Sequence, residues 1–418
     1  MELSRRGFMG AGAALFASAG LNAFAAADAA KKPVIQGFDE TDCGPLQDKP
    51  WEPFSDRKVR VGIAGEGICD FGSQFGYQNH PNVEVVAVTD LNAEKCRLLQ
   101  ERTKAPKTYP SCEEMIRHAA EDRLDAVYIA TDAPSHARLV ILALEHGLHV
   151  CSAVPAFFGE EQLELVPKMI DAQKRSGKLY MMNETTAFRA GGYALRKLYE
   201  AGLFGALSYA EGEYYHDNAD AGYALDSTIG SYDNWRWGLP PQYYPTHSNG
   251  YYTCTTHKRF TRVTCQGRPS LYRQYQPLRN RFGNPYGTEV ALFKCEDGAT
   301  ARMTVAWDVP AKGAETGRIY GTHLSYNADD PKGSMLGLNL EAAQKLELRK
   351  PQLPPGMPWG AHGGSHGYLT DDFIRGILVK DHKVCVDLKT ALDTTIAGVY
   401  AHKSAMKDGE SLAVPAVM

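Results

Sequence analysis

The sequence predicts an α/β protein of two parts: an N-terminal Rossmann domain, then a C-terminal α+β domain with a large, mostly antiparallel open sheet. Three observations carry this. Strand-like and helical patterns alternate from Val59 to Ser176, as βαβ units of a parallel sheet require. A glycine-rich turn, Gly62-Ile63-Ala64-Gly65-Glu66-Gly67, directly follows the first of those strands. Beyond Asn183 the texture changes to alternating strands separated by long loops rich in Gly, Pro, Tyr and His. At 418 residues the chain also exceeds one ordinary core.

In chain order, residues 1–27 read as a twin-arginine export peptide. Arg5-Arg6 precede Phe8, an Ala-rich apolar stretch, and Ala23-Phe24-Ala25 as a cleavage signal. The apolar stretch is shorter than the roughly 20 residues of a membrane-spanning helix. Residues 28–57 lack periodicity and read as a surface arm or linker. The Rossmann domain is expected over residues 58–182, with strands at Val59 to Ala64, Val83 to Val88 and Leu124 to Ala130. Its helices run from His136 to His146, capped by Gly147, and from Glu160 to Ser176, stopped by Gly177. The second domain, residues 183–418, opens with a helix from Gly191 to Ala201. Strands follow at Ser208 to Tyr215, Glu289 to Cys295 and Ala299 to Trp307, and a last helix runs from Leu388 to Lys407.

Composition narrows the partners. Lys+Arg 45 against Asp+Glu 49 leaves a net charge of -4, which gives no general attraction to nucleic acid or to an anionic membrane. Nine cysteines without close pairs fit folding in a reducing compartment and no disulfide framework. No C-x-x-C or Cys/His cluster marks a metal centre. Export already folded into the periplasm suits a protein that receives its cofactor in the cytoplasm.

Gly65 and Gly67 permit the close backbone approach that a pyrophosphate at a helix N-terminus needs, although a glycine cluster also makes an ordinary tight turn. The third glycine of G-x-G-x-x-G falls on Asp70, and Gly72 indicates a loop two residues longer. Asp90 ends the second strand where an acid binds the ribose 2′-hydroxyl. It favours NAD over NADP, because a 2′-phosphate beside a carboxylate is repelled. Thr131 ends the third strand, either flanking the nicotinamide side or as a plain strand terminus.

The order of these pieces, with Ile129-Ala130-Thr131 and Pro134-Ser135-His136-Ala137, resembles the glucose-fructose oxidoreductase/inositol dehydrogenase/MocA family. Most members carry E-K-P where this chain has Ala153-Val154-Pro155, and Val154 cannot supply the lysine's help in hydride transfer. One branch departs in the same way, the NAD-dependent glycosidases of glycoside hydrolase family 109. Val154-Pro155-Ala156, Met181-Met182-Asn183-Glu184, Glu211-Gly212-Glu213-Tyr214-Tyr215-His216-Asp217 and Tyr244-Pro245-Thr246-His247 are similar to its motifs. The resemblance implies a tightly bound NAD touching Pro155 and Glu184, a carbohydrate or glycoside substrate, and a homodimer or homotetramer built through the C-terminal sheet.

It also implies roles. His247, in a polar aromatic loop from Tyr243 to Gly250, would be the base for a sugar hydroxyl, a task that suits imidazole's near-neutral pKa. Tyr214, or a water it holds, would take the C2 proton. His216, two residues on in a strand, would share its face, a pattern that plain packing also produces. Trp235-Arg236-Trp237 and Tyr244 read equally as a sugar platform or as buried aromatics. The glycine-rich segment from Gly360 to Gly367 reads as a wall of the pocket carrying His362. The implied cycle is oxidation at C3, elimination, hydration and re-reduction, which leaves the cofactor as it began. Two rival readings keep the fold: a ping-pong sugar oxidoreductase with bound NAD(P), and a non-catalytic sugar-binding protein.

Overall fold

A computed structural model describes residues 50–67, 69–217, 234–310, 314–328, 333–338, 344–345 and 350–418. The expected export peptide and all of the expected arm before residue 50 lie outside the described residues. Six parallel strands, β1 (Val59–Ala64), β2 (Val83–Thr89), β3 (Lys107–Tyr109), β4 (Ala126–Ile129), β5 (His149–Ser152) and β6 (Tyr180–Met182), form one sheet in the order β3-β2-β1-β4-β5-β6. This is the doubly wound Rossmann order, with its crevice outside the carboxyl ends of β1 and β4. Val59, Val61, Ile63, Ala126, Val127 and Ile129 are fully buried because helices cover both faces.

The expected helix from Glu160 divides. A 3₁₀ stretch, Glu160–Leu165, precedes the α-helix Val166–Ser176. Pro167, without an N–H, fits the first turn of that α-helix and would break a continuous one. β3 and β6 went unread in the sequence because three residues carry no measurable period.

The second sheet has nine strands among the described residues, in the order β14-β13-β12-β11-β7-β10-β9-β8-β15. They are β7 (Leu207–Tyr215), β8 (Phe260–Pro269), β9 (Tyr286–Cys295), β10 (Thr300–Ala306), β11 (Ala314–Gly321), β12 (Leu324–Asn327), β13 (Ser334–Gly337), β14 (Gln344–Lys345) and β15 (Leu412–Ala413). All neighbours pair antiparallel except β10 with β7. One face is covered by the helices Ala190–Glu200, Thr246–Thr256 and Leu388–Ala405.

The segment expected as a loop around His247 is instead the start of the helix Thr246–Thr256, in which every residue is buried. Its composition disguised it. Lying between the sheet and the helix Leu388–Ala405, it has no solvent face and so no apolar stripe to read. Several of its polar side chains bond internally: Thr253 Oγ1 lies 2.7 Å from Thr394 Oγ1, and Asn249 Nδ2 donates to Thr394 O at 3.1 Å. Gly212 of β7 lets this helix approach, since a Cβ there would stand 2.0 Å from Ser248 O.

The two domains are bound through the helix His366–Leu378. Thr370 Oγ1 donates to Phe75 O at 2.7 Å, and His80 Nε2 meets Asp371 Oδ1 at 3.2 Å. The described end of the expected linker also docks here. Trp51 Nε1 donates to the same Asp371 oxygen at 3.0 Å, and the Arg375 guanidinium lies 4.3 Å from the centre of the Phe54 ring.

Candidate active site

β1 delivers the glycine turn to the crevice. At Gly65 φ is 95°, and a Cβ would lie 2.5 Å from Ala130 O, so only glycine lets β1 turn here against the end of β4. Gly72 performs the packing of the missing third glycine: a Cβ there would meet Gly65 O at 2.4 Å. Asp70, left-handed at φ 53°, is held by Arg102 at 3.0 Å and Lys95 at 3.3 Å.

The expectation of a pyrophosphate at a helix N-terminus is corrected. The helix after the turn is a single turn, Phe71–Gln74, and the buried Glu66 carboxylate occupies its amide end, accepting from Ser73 N at 2.9 Å and Ser73 Oγ at 2.6 Å. Asp90 stands where it was expected. Its Oδ2 accepts from Glu66 N at 2.9 Å and Gly67 N at 3.2 Å, fixing the turn and bringing the carboxylate to the cavity edge.

A cavity of about 590 Å³ opens from this turn, lined by Gly65, Gly67, Asp90, Leu91, Thr131 and Arg138 among others. The residues present fit a dinucleotide. A Cβ at Gly67 would meet nothing nearer than Ala130 O at 3.9 Å, so the missing side chain leaves the floor open, and Leu91, 85% exposed, offers an apolar face beside Asp90. The buried His136 joins two nominated cofactor residues, with Nδ1 2.8 Å from Pro155 O and Nε2 3.1 Å from Thr131 O.

Cys69, Phe71 and Arg236 line both this cavity and a second one of about 350 Å³, so the two adjoin. Tyr214, His216, Tyr244, His247 and His362 all line the second cavity. His247 is centred among aromatics, 4.8 Å from the Tyr214 ring in an edge contact and 6.3 Å from the His362 ring, nearly parallel. The Arg236 guanidinium lies 4.2 Å from the Trp235 ring centre, and the two together face the first cavity. Trp237 belongs to the packing instead: it is buried and donates Nε1 to Arg279 O at 2.7 Å.

Glu184, expected to touch the cofactor, lines neither cavity and is fully buried. Its Oε1 lies 2.8 Å from His247 Nδ1 and also accepts from Thr186 N at 2.8 Å. The turn after β6 points the carboxylate beneath the helix that carries His247, which spacing along the chain did not disclose. Burial disfavours the imidazolium, but the charges of Glu184 and Glu315 prevail and raise the His247 pKa. Burial likewise works against the Glu184 carboxylate, and His247 holds its pKa below the usual range. With Nδ1 engaged, Nε2 is the nitrogen left for a substrate. Burial, with His247 and His366 beside it, pushes His362 down to about 3, so it faces the cavity neutral.

Arg189, Glu315, Trp307 and Gln74 also line the second cavity and were not found in the sequence. Glu315 lies in β11 and Arg189 just before a helix, and neither sits in a motif. Among the described residues no group of three or more His, Cys, Asp or Glu is placed to hold a metal ion.

This fold joins a Rossmann domain to a second, mostly antiparallel sheet domain, with the paired cavities beside the glycine turn. Residues 59–184 match the family described as "Oxidoreductase family, NAD-binding Rossmann fold", which places this domain of the chain in the Gfo/Idh/MocA family. An oxidoreductase domain protein from Kribbella flavida matches 86% of this chain and 100% of its own at TM-score 0.68 and 16% identity. Scyllo-inositol dehydrogenase from Lactobacillus casei, solved with NAD(H) and scyllo-inositol, matches 86% of this chain and 99% of its own at TM-score 0.64 and 15% identity. These are likenesses of fold. A glycosyl hydrolase family 109 protein of Porphyromonas gingivalis is 30% identical over 168 residues, which are 39% of this chain and 35% of that protein. An alpha-N-acetylgalactosaminidase of Bacteroides fragilis is 28% identical over 206 residues, 46% of each chain. The match therefore spans between a third and a half of these curated relatives.

Proposed function

We propose that the protein is an NAD-dependent glycoside hydrolase that acts through transient oxidation of the sugar at C3, elimination, hydration and re-reduction. One observation carries the reading. A histidine backed by a buried carboxylate, His247 on Glu184, lines the cavity that adjoins the nucleotide cavity, while the position of the family's lysine is the apolar and buried Val154.

Gly65, Gly67, Asp90 and Thr131 would hold the cofactor, while Pro155, expected to touch it, lines neither cavity; when bound, NAD+ supplies a hydride acceptor at a sugar carbon and later returns the hydride. His247 takes the hydroxyl proton through Nε2, and Glu184 fixes the tautomer and stabilises the imidazolium that forms. Tyr214, 4.8 Å from His247 between ring centres, or a water it holds, takes the C2 proton. Arg236, Tyr244, His216 and His362 bind the sugar's faces and hydroxyls, while Trp235, expected in the sugar platform, lines the nucleotide cavity and supports Arg236 from there. An exported protein has no nicotinamide pool to draw on, so a tightly held NAD that is restored in each cycle fits export through the twin-arginine pathway to the periplasm. The face of the nine-stranded sheet opposite its covering helices, with Leu292 50% and Tyr320 37% exposed, is the surface through which we expect a dimer or tetramer.

The test is incubation of the purified protein with a panel of α- and β-glycosides in deuterated water. Cleavage with deuterium at C2 of the released sugar is expected. A keto-sugar and a reduced sugar without cleavage would instead identify a ping-pong oxidoreductase.

A further inference from the structure

A carboxyl group other than that of Glu184 lines the catalytic cavity itself. Glu315 of β11 stands directly opposite Tyr214 of β7 in antiparallel register, so the two side chains share a face. The Glu315 side chain is 2% exposed, and Arg189 Nη2 donates to its Oε1 at 2.5 Å. Its Oε2 is buried, has no hydrogen-bond partner among the described residues, and lies 3.9 Å from His247 Nδ1. A buried carboxyl oxygen left this way is costly unless the group is protonated or a ligand meets it. Glu315 lines the cavity with Tyr214 and His247, so a ligand there has access to it.

Charge balance says which protonation states the cluster tolerates. Arg189 is cationic and Glu184 anionic, so His247 and Glu315 together leave the cluster neutral when they share one proton. Either an imidazolium faces a carboxylate, or a neutral imidazole faces a carboxylic acid; any other count buries an unbalanced charge. The remaining charged or titratable groups on the walls are Arg236, His216, His362, Tyr214, Tyr244 and Cys69. Burial raises the Glu315 pKa, with Glu184 adding to the rise and His247 and Arg189 opposing it.

We infer that Glu315 is the acid that protonates the departing glycosidic oxygen, an assignment that rests on the hydrolase reading. The state in which His247 is neutral and able to accept a hydroxyl proton is also the state in which Glu315 carries its own. From the C3 ketone, the C2–H bond breaks and its proton passes, by way of the Tyr214 hydroxyl and the water it holds, to solvent. The electron pair forms the C1=C2 bond, the C1–O bond breaks, and the leaving oxygen takes the Glu315 proton. On the return, water adds at C1 and gives a proton to the Glu315 carboxylate, C2 regains a proton from solvent, and as C3 regains the hydride it lost to the cofactor His247 returns its proton to the oxygen there.

The test compares wild type and Glu315→Gln, both loaded with NAD, on methyl and 2,4-dinitrophenyl α- and β-glycosides of glucose, galactose and their N-acetylamino forms in deuterated water. Dinitrophenolate leaves without a proton. The variant is expected to lose about 100-fold or more on the methyl glycoside that wild type cleaves and only a few-fold on its dinitrophenyl counterpart. It is expected to keep exchanging deuterium into C2 of intact methyl glycoside, a readout that a misfolded variant would lose. Equal losses on both leaving groups, or loss of the C2 exchange, would overturn the assignment while wild-type cleavage still supports the hydrolase reading. If wild type cleaves none of the glycosides and labels none at C2, that reading fails and takes this one with it.

Discussion

At the scale of single residues, the 2.8 Å contact between Glu184 Oε1 and His247 Nδ1 sets the chemistry. The base must be neutral to accept a proton, and its pKa is raised, so kcat/KM is expected to rise with pH through a limb lying above the ordinary histidine value. Glu184→Gln removes the charge that raises it, despite the burial that opposes it. That limb should then move to lower pH while the maximum rate falls, because both the tautomer and the stabilisation of the imidazolium are lost. A pH profile of the variant showing an unmoved limb would dissociate the two residues. His247→Ala should cost about 10²–10⁴ in kcat with NAD binding retained, measured by activity and by the thermal shift on adding NAD. His247 was legible in Tyr-Pro-Thr-His. Its partner was misassigned, because a carboxylate 63 positions away is brought to it by tertiary packing alone.

At the scale of elements, the glycine turn and the buried helix place the site. Gly67→Val would put a branched side chain into the open floor of the nucleotide cavity at φ 61°. The variant should remain folded, at a cost on the order of 1–2 kcal/mol for the left-handed backbone, and lose its thermal shift with NAD. An unchanged shift would place the dinucleotide elsewhere. Gly212→Ala acts from the opposite side: its Cβ, 2.0 Å from Ser248 O, would displace the helix that carries His247. Stability should fall by about 1–3 kcal/mol in urea unfolding, and kcat should fall with it. The glycine turn was readable because a strand, a turn and a distant acid have fixed spacing. The helix Thr246–Thr256 was not, because a helix buried on every side has no polar face to give it a period.

At the scale of the whole molecule, Asp371 links three segments: Trp51 at the start of the described chain, His80 of the Rossmann domain and Arg375 on its own helix. Burial works against its ionisation, but His80 and Arg375 hold its pKa below the usual carboxylate value. A depressed pKa contributes stability at neutral pH that is lost as pH falls through the folded value. Asp371→Ala should therefore lower the unfolding free energy at pH 7 by about 1–3 kcal/mol, read from urea unfolding, and the gap from wild type should close at acid pH. Limited proteolysis near Trp51 should quicken at the same time. A constant gap across pH would mean that the contribution comes from packing, not charge.

The sequence by itself determined the local features: the strand and helix alternation to Ser176, the turn at Gly65, the acid at Asp90, the histidine at 247 and the absence of a lysine at 154. Each is written in a period or spacing of a few residues. Tertiary structure alone decided that Glu184 supports His247, that Glu66 fills the amide end of the first helix, and that Glu315 and Arg189 enter the cavity. These groups meet across strand register and helix packing, over separations of 7 to 126 residues, and are paired because buried charge must find its partner wherever the fold puts it.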